Sequence, residues 1–312
     1  MKLGIDMGGM SIKMGLVNEE NKIIGRITIP TDLTVPYQTL VERMADAVRQ
    51  MLENAGMTLE QCGGIGIGSP GTIDAKQGVI LYSNNFGWEN VPIVEELKKH
   101  LDTRIEIAND ADAAALGEVC ASAAEGAENA VLLTLGTGVG SGVILDKKIF
   151  RGAMPGGCEL GHLSIRYDGI RCTCGRKGCL EAYASALLRI AREKAAEHPE
   201  SIMNEMCGND LEQMNGKIPF DAAKAGDEAG METVKEYEGY LACGIANVIN
   251  TFRPEKVILG GGVAAQKDNL TAPLKDLVKD MCFGGSHGHI ADIVTSVLGN
   301  DAGIIGAANL VV

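Results

Sequence analysis

The sequence predicts an α/β protein built as two duplicated α/β domains around a cleft. Short aliphatic strands alternate with amphipathic helices along the chain, and elements in that order stack as layers about a sheet. A strand, a glycine turn and a second strand near the amino end recur about 130 residues later, which marks duplication. Glycine supplies 41 of 312 residues beside 46% hydrophobic residues and only 9 prolines. That composition excludes collagen and disorder, so the glycines belong to turns of a globular chain. The length suits about two domains.

Residues 2–29 predict a three-stranded meander: Lys2 to Asp6, a turn at Gly8 and Gly9, Ile12 to Val17, a polar turn, and Ile23 to Ile29. Pro36 opens a helix whose Leu40, Val41, Met44, Val48, Met51 and Leu52 form one apolar stripe. Gly64 to Gly68 reads as a buried strand ending at Ser69-Pro70-Gly71, and Val79 to Tyr82 as another. Pro92 starts a helix to His100, Arg104 to Ala108 is a strand, and Ala111 to Ala124 an alanine-rich helix. The second unit runs Ala130 to Leu135, a turn at Gly136 to Gly140, Ser141 to Leu145, a turn at Asp146-Lys147, and Lys148 to Arg151. Beyond it the pattern predicts a helix from Glu181 to Glu197, a polar stretch from Ser201 to Gly216, and a long helix from Met231 to Phe252. A strand from Lys256 to Leu259 leads into Gly260-Gly261-Gly262, followed by a helix from Asn269 to Met281, a strand from Ile290 to Val297 and a helix from Asp301 to Leu310.

Lys plus Arg number 28 against 41 Asp plus Glu, a net charge of −13. Phosphate backbones and anionic membranes repel such a chain, so neither nucleic acid nor membrane is an expected partner. Asp6 leaves no room for the apolar core of a signal peptide, and no apolar run reaches 18 residues, so a cytoplasmic protein is expected. Of nine cysteines, Cys172, Cys174 and Cys179 crowd together. In a reducing compartment such a cluster points to metal rather than disulfides.

Asp6-Met7-Gly8-Gly9-Met10-Ser11 joins two strands. Glycines let backbone N–H groups approach an anion, and a carboxylate at a strand end can hold hydrated Mg²⁺ beside phosphates. Alone, the turn reads more readily as an ordinary glycine hairpin. Gly136-Thr137-Gly138-Val139-Gly140 occupies the equivalent place in the second unit, so two turns can grip one phosphate chain. Neither a dinucleotide fingerprint nor a P-loop can be fitted to these glycines.

His162 with Cys172, Cys174 and Cys179 makes a donor set suited to structural, tetrahedral zinc. Glu159 and Glu181 flank it, and carboxylates on a metal-stapled loop can accept hydrogen bonds from sugar hydroxyls, although each alone reads as a surface charge. His162 can ligate through one ring nitrogen and offer the other to a hydroxyl. Asn109-Asp110-Ala111-Asp112 lies where a strand enters a helix, a place for capping and also for a carboxylate that accepts a hydroxyl proton, with Asp112 the more dispensable. Asn84-Asn85 supplies amides that can recognise hydroxyls, or a plain turn.

These motifs resemble the ROK family in order and spacing: Asp6-Met-Gly-Gly, Ser69-Pro-Gly, Asn109-Asp110, Leu135-Gly-Thr-Gly-Val-Gly, Glu159-Leu-Gly-His162, Cys172-Thr-Cys-Gly-Arg-Lys-Gly-Cys179-Leu-Glu181 and Leu259-Gly-Gly-Gly. The family contains bacterial sugar kinases and sugar-responsive repressors with an actin-like, hexokinase-like ATPase fold. The resemblance implies a domain over residues 1–112 with the helix at about 300–312 packed back on it, and a second over 113–299 carrying a zinc loop at 162–179. It implies that Asp110 is the catalytic base and that Asn109, Glu159, His162 and Glu181 bind sugar hydroxyls, with Asn85 as a further candidate. By the same likeness the turns containing Asp6, Gly8 and Gly9 and Gly136, Thr137 and Gly138 hold the phosphates of Mg²⁺-ATP, Gly260 to Gly262 lie near the adenosine, and His162, Cys172, Cys174 and Cys179 bind zinc. The family usually has Thr after the first glycine pair. Met10 offers no hydroxyl, and Ser11, adjacent in a strand, points to the other face. Altered phosphate contacts or another phosphoryl donor are therefore expected.

The expected activity is transfer of the γ-phosphoryl group of ATP to the 6-hydroxyl of a hexose, most like the family's glucokinases. Asn85-Phe86-Gly87-Trp88-Glu89-Asn90-Val91-Pro92 tilts the sugar towards glucose over N-acetylglucosamine, N-acetylmannosamine, mannose, fructose or allose. A non-catalytic sugar-binding protein is the alternative. A DNA-bound repressor is disfavoured by the acidic charge and by a first strand that begins at Lys2. A homodimer is expected from the family.

Overall fold

The computed structural model describes residues 1–288 and 290–312. Three strands open the chain, β1 (Lys2–Met7), β2 (Ser11–Val17) and β3 (Ile23–Pro30), paired antiparallel so that Lys2 faces Val17 and Met7 faces Ile12. Pro36 caps α1 (Tyr37–Asn54), whose predicted stripe is buried. β4 (Ile65–Ser69) runs parallel to β1 and to β8 (Ile105–Asn109), which completes a five-stranded sheet in the order β3-β2-β1-β4-β8. Between β4 and β8 lie β5 (Thr72–Asp74), β6 (Val79–Ser83), β7 (Trp88–Val91) and α2 (Ile93–Lys98), the three strands forming a small antiparallel sheet. α3 (Asp110–Ala121) follows β8 without a loop.

β9 (Ala130–Leu135), β10 (Val139–Leu145) and β11 (Lys148–Ile149) repeat the meander. Asp146 and Lys147 join the last two with φ of 52° and 62°, the left-handed pair of a tight hairpin. With β12 (Lys256–Gly261) and β13 (Asp292–Thr295) they form a second sheet, β11-β10-β9-β12-β13, whose last two strands are parallel. A meander followed by two further strands is the plan of the first sheet, which accounts for the duplicated pattern. The helices of this half are α4 (Leu180–Ala184), α5 (Leu187–Glu197), α6 (Ile202–Met206), α7 (Ile218–Lys224), α8 (Glu228–Phe252) and α9 (Asp268–Met281). α10 (Asp301–Ala308) closes the chain. Compact unit 1 comprises Met1–Leu132, Gly142–Cys158 and Val297–Val312, and unit 2 comprises Leu133–Ser141 and Glu159–Ser296. No described helix is long and apolar enough to cross a membrane.

Several elements differ from their sequence expectation. The second glycine turn is shorter, because buried Val139 already begins β10. The helix expected over Glu181 to Glu197 breaks at Ser185-Ala186. There the Ser185 hydroxyl donates to the Glu181 carbonyl at 2.7 Å and Ala186 leaves helical geometry at φ −92°, ψ 8°. α6 arises inside the stretch read as polar, and α7, with Pro219 in its first turn, forms between that stretch and the long helix, where no element is expected.

Unit 1 is completed by α10, and glycines make its approach possible. A Cβ on Gly306 would overlap the Ala113 carbonyl of α3, one on Gly117 the Ala302 carbonyl, and ones on Gly4 and Gly66 the carbonyls of Ile304 and Ala307. Backbone stands against backbone here, with no side chain able to yield. Gly306→Ala is accordingly expected to cost about 3 kcal/mol or more by overpacking, lowering the thermal midpoint by about 5–10 °C in calorimetry.

Candidate functional site

The first glycine turn is tied at its neck by the Gly8 N–H, which donates to the Ser11 carbonyl at 3.0 Å. Ser11 begins β2, while Met10 at the tip is 90% exposed. The antiparallel register sets Lys13 directly across from Asp6, on the same face of the sheet. Asp6 lies against α10 at Gly303, where a Cβ would come within 2.9 Å of the carboxyl group. Burial raises Asp6 from 3.8 to about 6, with Lys13 opposing the shift and Asp110 adding to it. Asn85 reaches the turn as well, its Nδ2 3.8 Å from where a Cβ on Gly9 would stand. Asp6, Gly8, Gly9, Ser11 and Asn85 are thereby gathered in one place, and a carboxylate opposite an ammonium beside the exposed Gly9 suits a magnesium-bound phosphate.

The raised pKa of Asp6 means that folding disfavours its ionised form. The cost is absent below about pH 4, grows towards pH 6, and is full above it at about 3 kcal/mol. Asp6→Asn removes that cost. The ligand-free variant is expected to be roughly 1–3 kcal/mol more stable at pH 8, with the advantage shrinking as pH falls towards 4, in urea denaturation. Equal stabilities at pH 8 would contradict the assignment.

β8 delivers Asn109 and Asp110 to the start of α3. The Asn109 Oδ1 accepts from the Ala111 N–H at 2.8 Å and its Nδ2 donates to the Gly71 carbonyl at 3.2 Å, so this residue caps the helix and fastens the Ser69-Pro70-Gly71 turn. Asp110 also accepts from the Ala111 N–H, at 2.9 Å, and burial raises its pKa despite that bond. Its neighbours Asn109 and Asp112 line a cavity of about 270 Å³ together with Asp74, Lys76 and Arg151. Asp112, expected to be the more dispensable carboxylate, is 3% exposed and forms part of this wall.

In unit 2, Glu159 opens a single 3-10 turn, Leu160–His162, whose Gly161 packs on the Val139 backbone. The loop that follows is stitched by Cys172 N–H to the Arg176 carbonyl at 2.8 Å and Gly178 N–H to the Ile170 carbonyl at 2.9 Å. It brings His162, Cys172, Cys174 and Cys179 together, their donor atoms all within 4.8 Å of one another. Tetrahedral zinc, with Zn–S bonds of about 2.3 Å, holds sulfurs about 3.8 Å apart. Cys174 Sγ and Cys179 Sγ stand 3.7 Å apart, as do Cys172 Sγ and His162 Nδ1. Burial and the neighbouring thiols push Cys179 up to about 12, a crowding that a divalent cation relieves. The residues therefore fit zinc, with Nδ1 of His162 turned to the Cys172 sulfur and Nε2 left for another partner.

Glu181 links this loop to the second glycine turn. One oxygen accepts from the Thr173 hydroxyl at 3.0 Å and the other from the Val139 N–H at 3.1 Å, where only a glycine at 138 leaves it room. Gly136, Thr137 and Gly262 share a cavity of about 600 Å³ with apolar walls from Leu187, Leu188 and Val263 and with Asp221 at its edge. Gly261, at φ 83°, lies against the Leu135 backbone, and Gly260 precedes it at the end of β12. An apolar slot opening on a glycine turn suits a nucleoside with its phosphates.

Sequence reasoning missed Lys13, Asp74, Lys76, Arg151 and Asp221. For Lys13 a signal was present: counting back from a two-residue turn at Gly9-Met10 pairs it with Asp6. The others are isolated charges with no local pattern.

The family described as the ROK family matches residues 2–312. A glucokinase of Thermotoga maritima is 36% identical over 312 residues, which span 99% of this chain and 96% of that protein. Among solved structures, the ROK family glucokinase of Streptomyces griseus in complex with glucose and AMPPNP superposes with a TM-score of 0.78 at 31% identity, covering 99% of this chain and 98% of its own. The ROK hexokinase of Thermus thermophilus gives 0.79 at 31% identity, covering 99% and 97%.

Proposed function

This chain belongs to the ROK family, and on that premise we propose that it is a sugar kinase that transfers the γ-phosphoryl group of ATP to the 6-hydroxyl of glucose. The reading is supported by the glucokinases it resembles along its whole length, one of them bound to glucose and an ATP analogue. The observation that carries the chemistry is Asp110. It is a carboxylate held by a helix amide, with a pKa raised by burial, and its neighbours Asn109 and Asp112 line a cavity.

Phosphoryl transfer needs positioning and charge neutralisation more than covalent chemistry. Asp110 accepts the proton of the 6-hydroxyl, and its raised pKa makes it a stronger base than a solvated aspartate. Asn85, Asn109, Glu159, His162 and Glu181 supply donors and acceptors for the other hydroxyls. Asp6, Gly8, Gly9 and, through its backbone N–H, Ser11, with Lys13 across the strand, hold phosphate and its magnesium, and Gly136, Thr137, Gly138 and Gly260 to Gly262 hold the rest of the nucleotide. Bound magnesium supplies screening of the phosphate charge. Zinc on His162, Cys172, Cys174 and Cys179 supplies a structural cross-link. A homodimer in the cytoplasm is the assembly and location we infer from the family.

ADP release measured across a panel of hexoses, with ATP and polyphosphate as donors, tests the proposal. Glucose with ATP is expected to give the highest kcat/KM. No turnover with any sugar would leave a sugar-binding protein, and polyphosphate outrunning ATP would trace to Met10.

A further inference from the structure

The first glycine turn has a brace from outside its own hairpin. Thr31, the residue after β3, makes two hydrogen bonds to it: its N–H donates to the Met10 carbonyl at 3.1 Å, and its hydroxyl donates to the Gly8 carbonyl at 2.6 Å. In a trans peptide the C=O and the following N–H point in opposite directions. Drawing the Gly8 carbonyl towards Thr31 therefore turns the Gly9 N–H away from it, and drawing in the Met10 carbonyl does the same for the Ser11 N–H. Gly9 itself is exposed, as is Met10. A carbonyl left loose in this turn could rotate its oxygen to the side where phosphate oxygens must come, and two negative groups would then meet.

We propose that Thr31 is a positioning residue for the nucleotide, holding the carbonyls of Gly8 and Met10 on the protein side so that the amides of the turn face the phosphates. The hydroxyl makes the difference because position 10 carries a thioether that can brace nothing, and it points to solvent. Without the hydroxyl only the backbone bond from Thr31 remains, and the Gly8-Gly9 peptide is free to flip, since neither glycine restricts it. The proposal rests on the kinase reading for the identity of the nucleotide, but the brace itself is read from unit 1 alone.

Thr31→Val keeps the shape and the backbone N–H while removing the hydroxyl, and Thr31→Ser restores it. For Thr31→Val, calorimetric titration with Mg-AMPPNP is expected to show binding weakened about 5- to 10-fold, with KM for ATP raised alike. KM for glucose is expected to stay within about twofold, and hydrogen exchange at residues 8–11 to quicken. Thr31→Ser is expected to return all of these near wild type. Unchanged nucleotide affinity in Thr31→Val overturns the proposal, as does equal weakening of glucose and nucleotide, which marks a merely structural role, or failure of serine to rescue. If wild type turns over no hexose, the kinase reading falls, and the AMPPNP affinities of the two variants still decide the role of Thr31.

Discussion

Asp110→Asn is expected to lower kcat by about 10²- to 10⁴-fold while glucose affinity stays within about threefold of wild type. Asparagine keeps the size of the side chain and an oxygen to accept the Ala111 N–H, so the start of α3 is undisturbed. What it loses is the capacity to take up the hydroxyl proton as the phosphoryl group departs. Burial places the pKa of Asp110 above that of an ordinary aspartate. A carboxylate accepts a proton only when ionised, so with Asp110 as the proposed base kcat/KM of the wild type should fall as pH drops through that raised value, at a higher pH than a solvated carboxylate would show. Stopped-flow or coupled ADP release gives the rates, and isothermal titration the affinity. Turnover within tenfold of wild type would remove Asp110 from the reaction.

Stripping the metal is expected to damage both stability and nucleotide use. Treatment with a thiol-reactive mercurial and chelator should release one zinc per chain, read by a colorimetric dye, and lower the thermal midpoint by about 5–10 °C, as loss of roughly 3 kcal/mol predicts. Cys174→Ser, which removes one donor at the exposed edge of the loop, is expected to do the same without chelator. The additional effect comes through Glu181. Its carboxylate joins Thr173 of the zinc loop to the amide of Val139, where the second glycine turn enters β10. A loosened loop releases that amide, so KM for ATP should rise about tenfold as the metal leaves. Metal-free protein with unaltered KM for ATP would show that the turn holds its shape unaided.

Much of this site was legible in sequence because its chemistry is local. Two glycine turns at the same place in two meanders, a His and three cysteines in an irregular loop, and Asn109-Asp110 where a strand meets a helix each declare themselves within a dozen residues. The small sheet was not legible as a whole: β5 and β7 have three and four residues, too short for an alternation to stand out, and Glu89 and Asn90 are exposed. The contacts that finish the site were illegible for another reason. Thr31 reaches Gly8, Asn85 approaches Gly9, and Gly303 makes room for Asp6, pairings set by strand register and helix packing rather than by spacing. The break between α4 and α5 falls in the same class, since Ser185 and Ala186 are both tolerated in helices and the Ser185 hydroxyl bond, visible only in three dimensions, accompanies the end of α4.

The glycine seat of α10 also sets an order of events during synthesis. Residues 297–312 complete unit 1, yet roughly 140 residues of unit 2 are translated between them and the segment ending at Cys158. At about 5–20 residues per second the ribosome takes roughly 7 to 28 s to cross that interval. Throughout it β1 and β4 present bare backbone at Gly4 and Gly66, with apolar neighbours on either side and no helix to cover them. The first half of the chain must therefore wait, open and adhesive, for its last helix. A nascent chain arrested before Val297 is the species on which chaperone binding should concentrate.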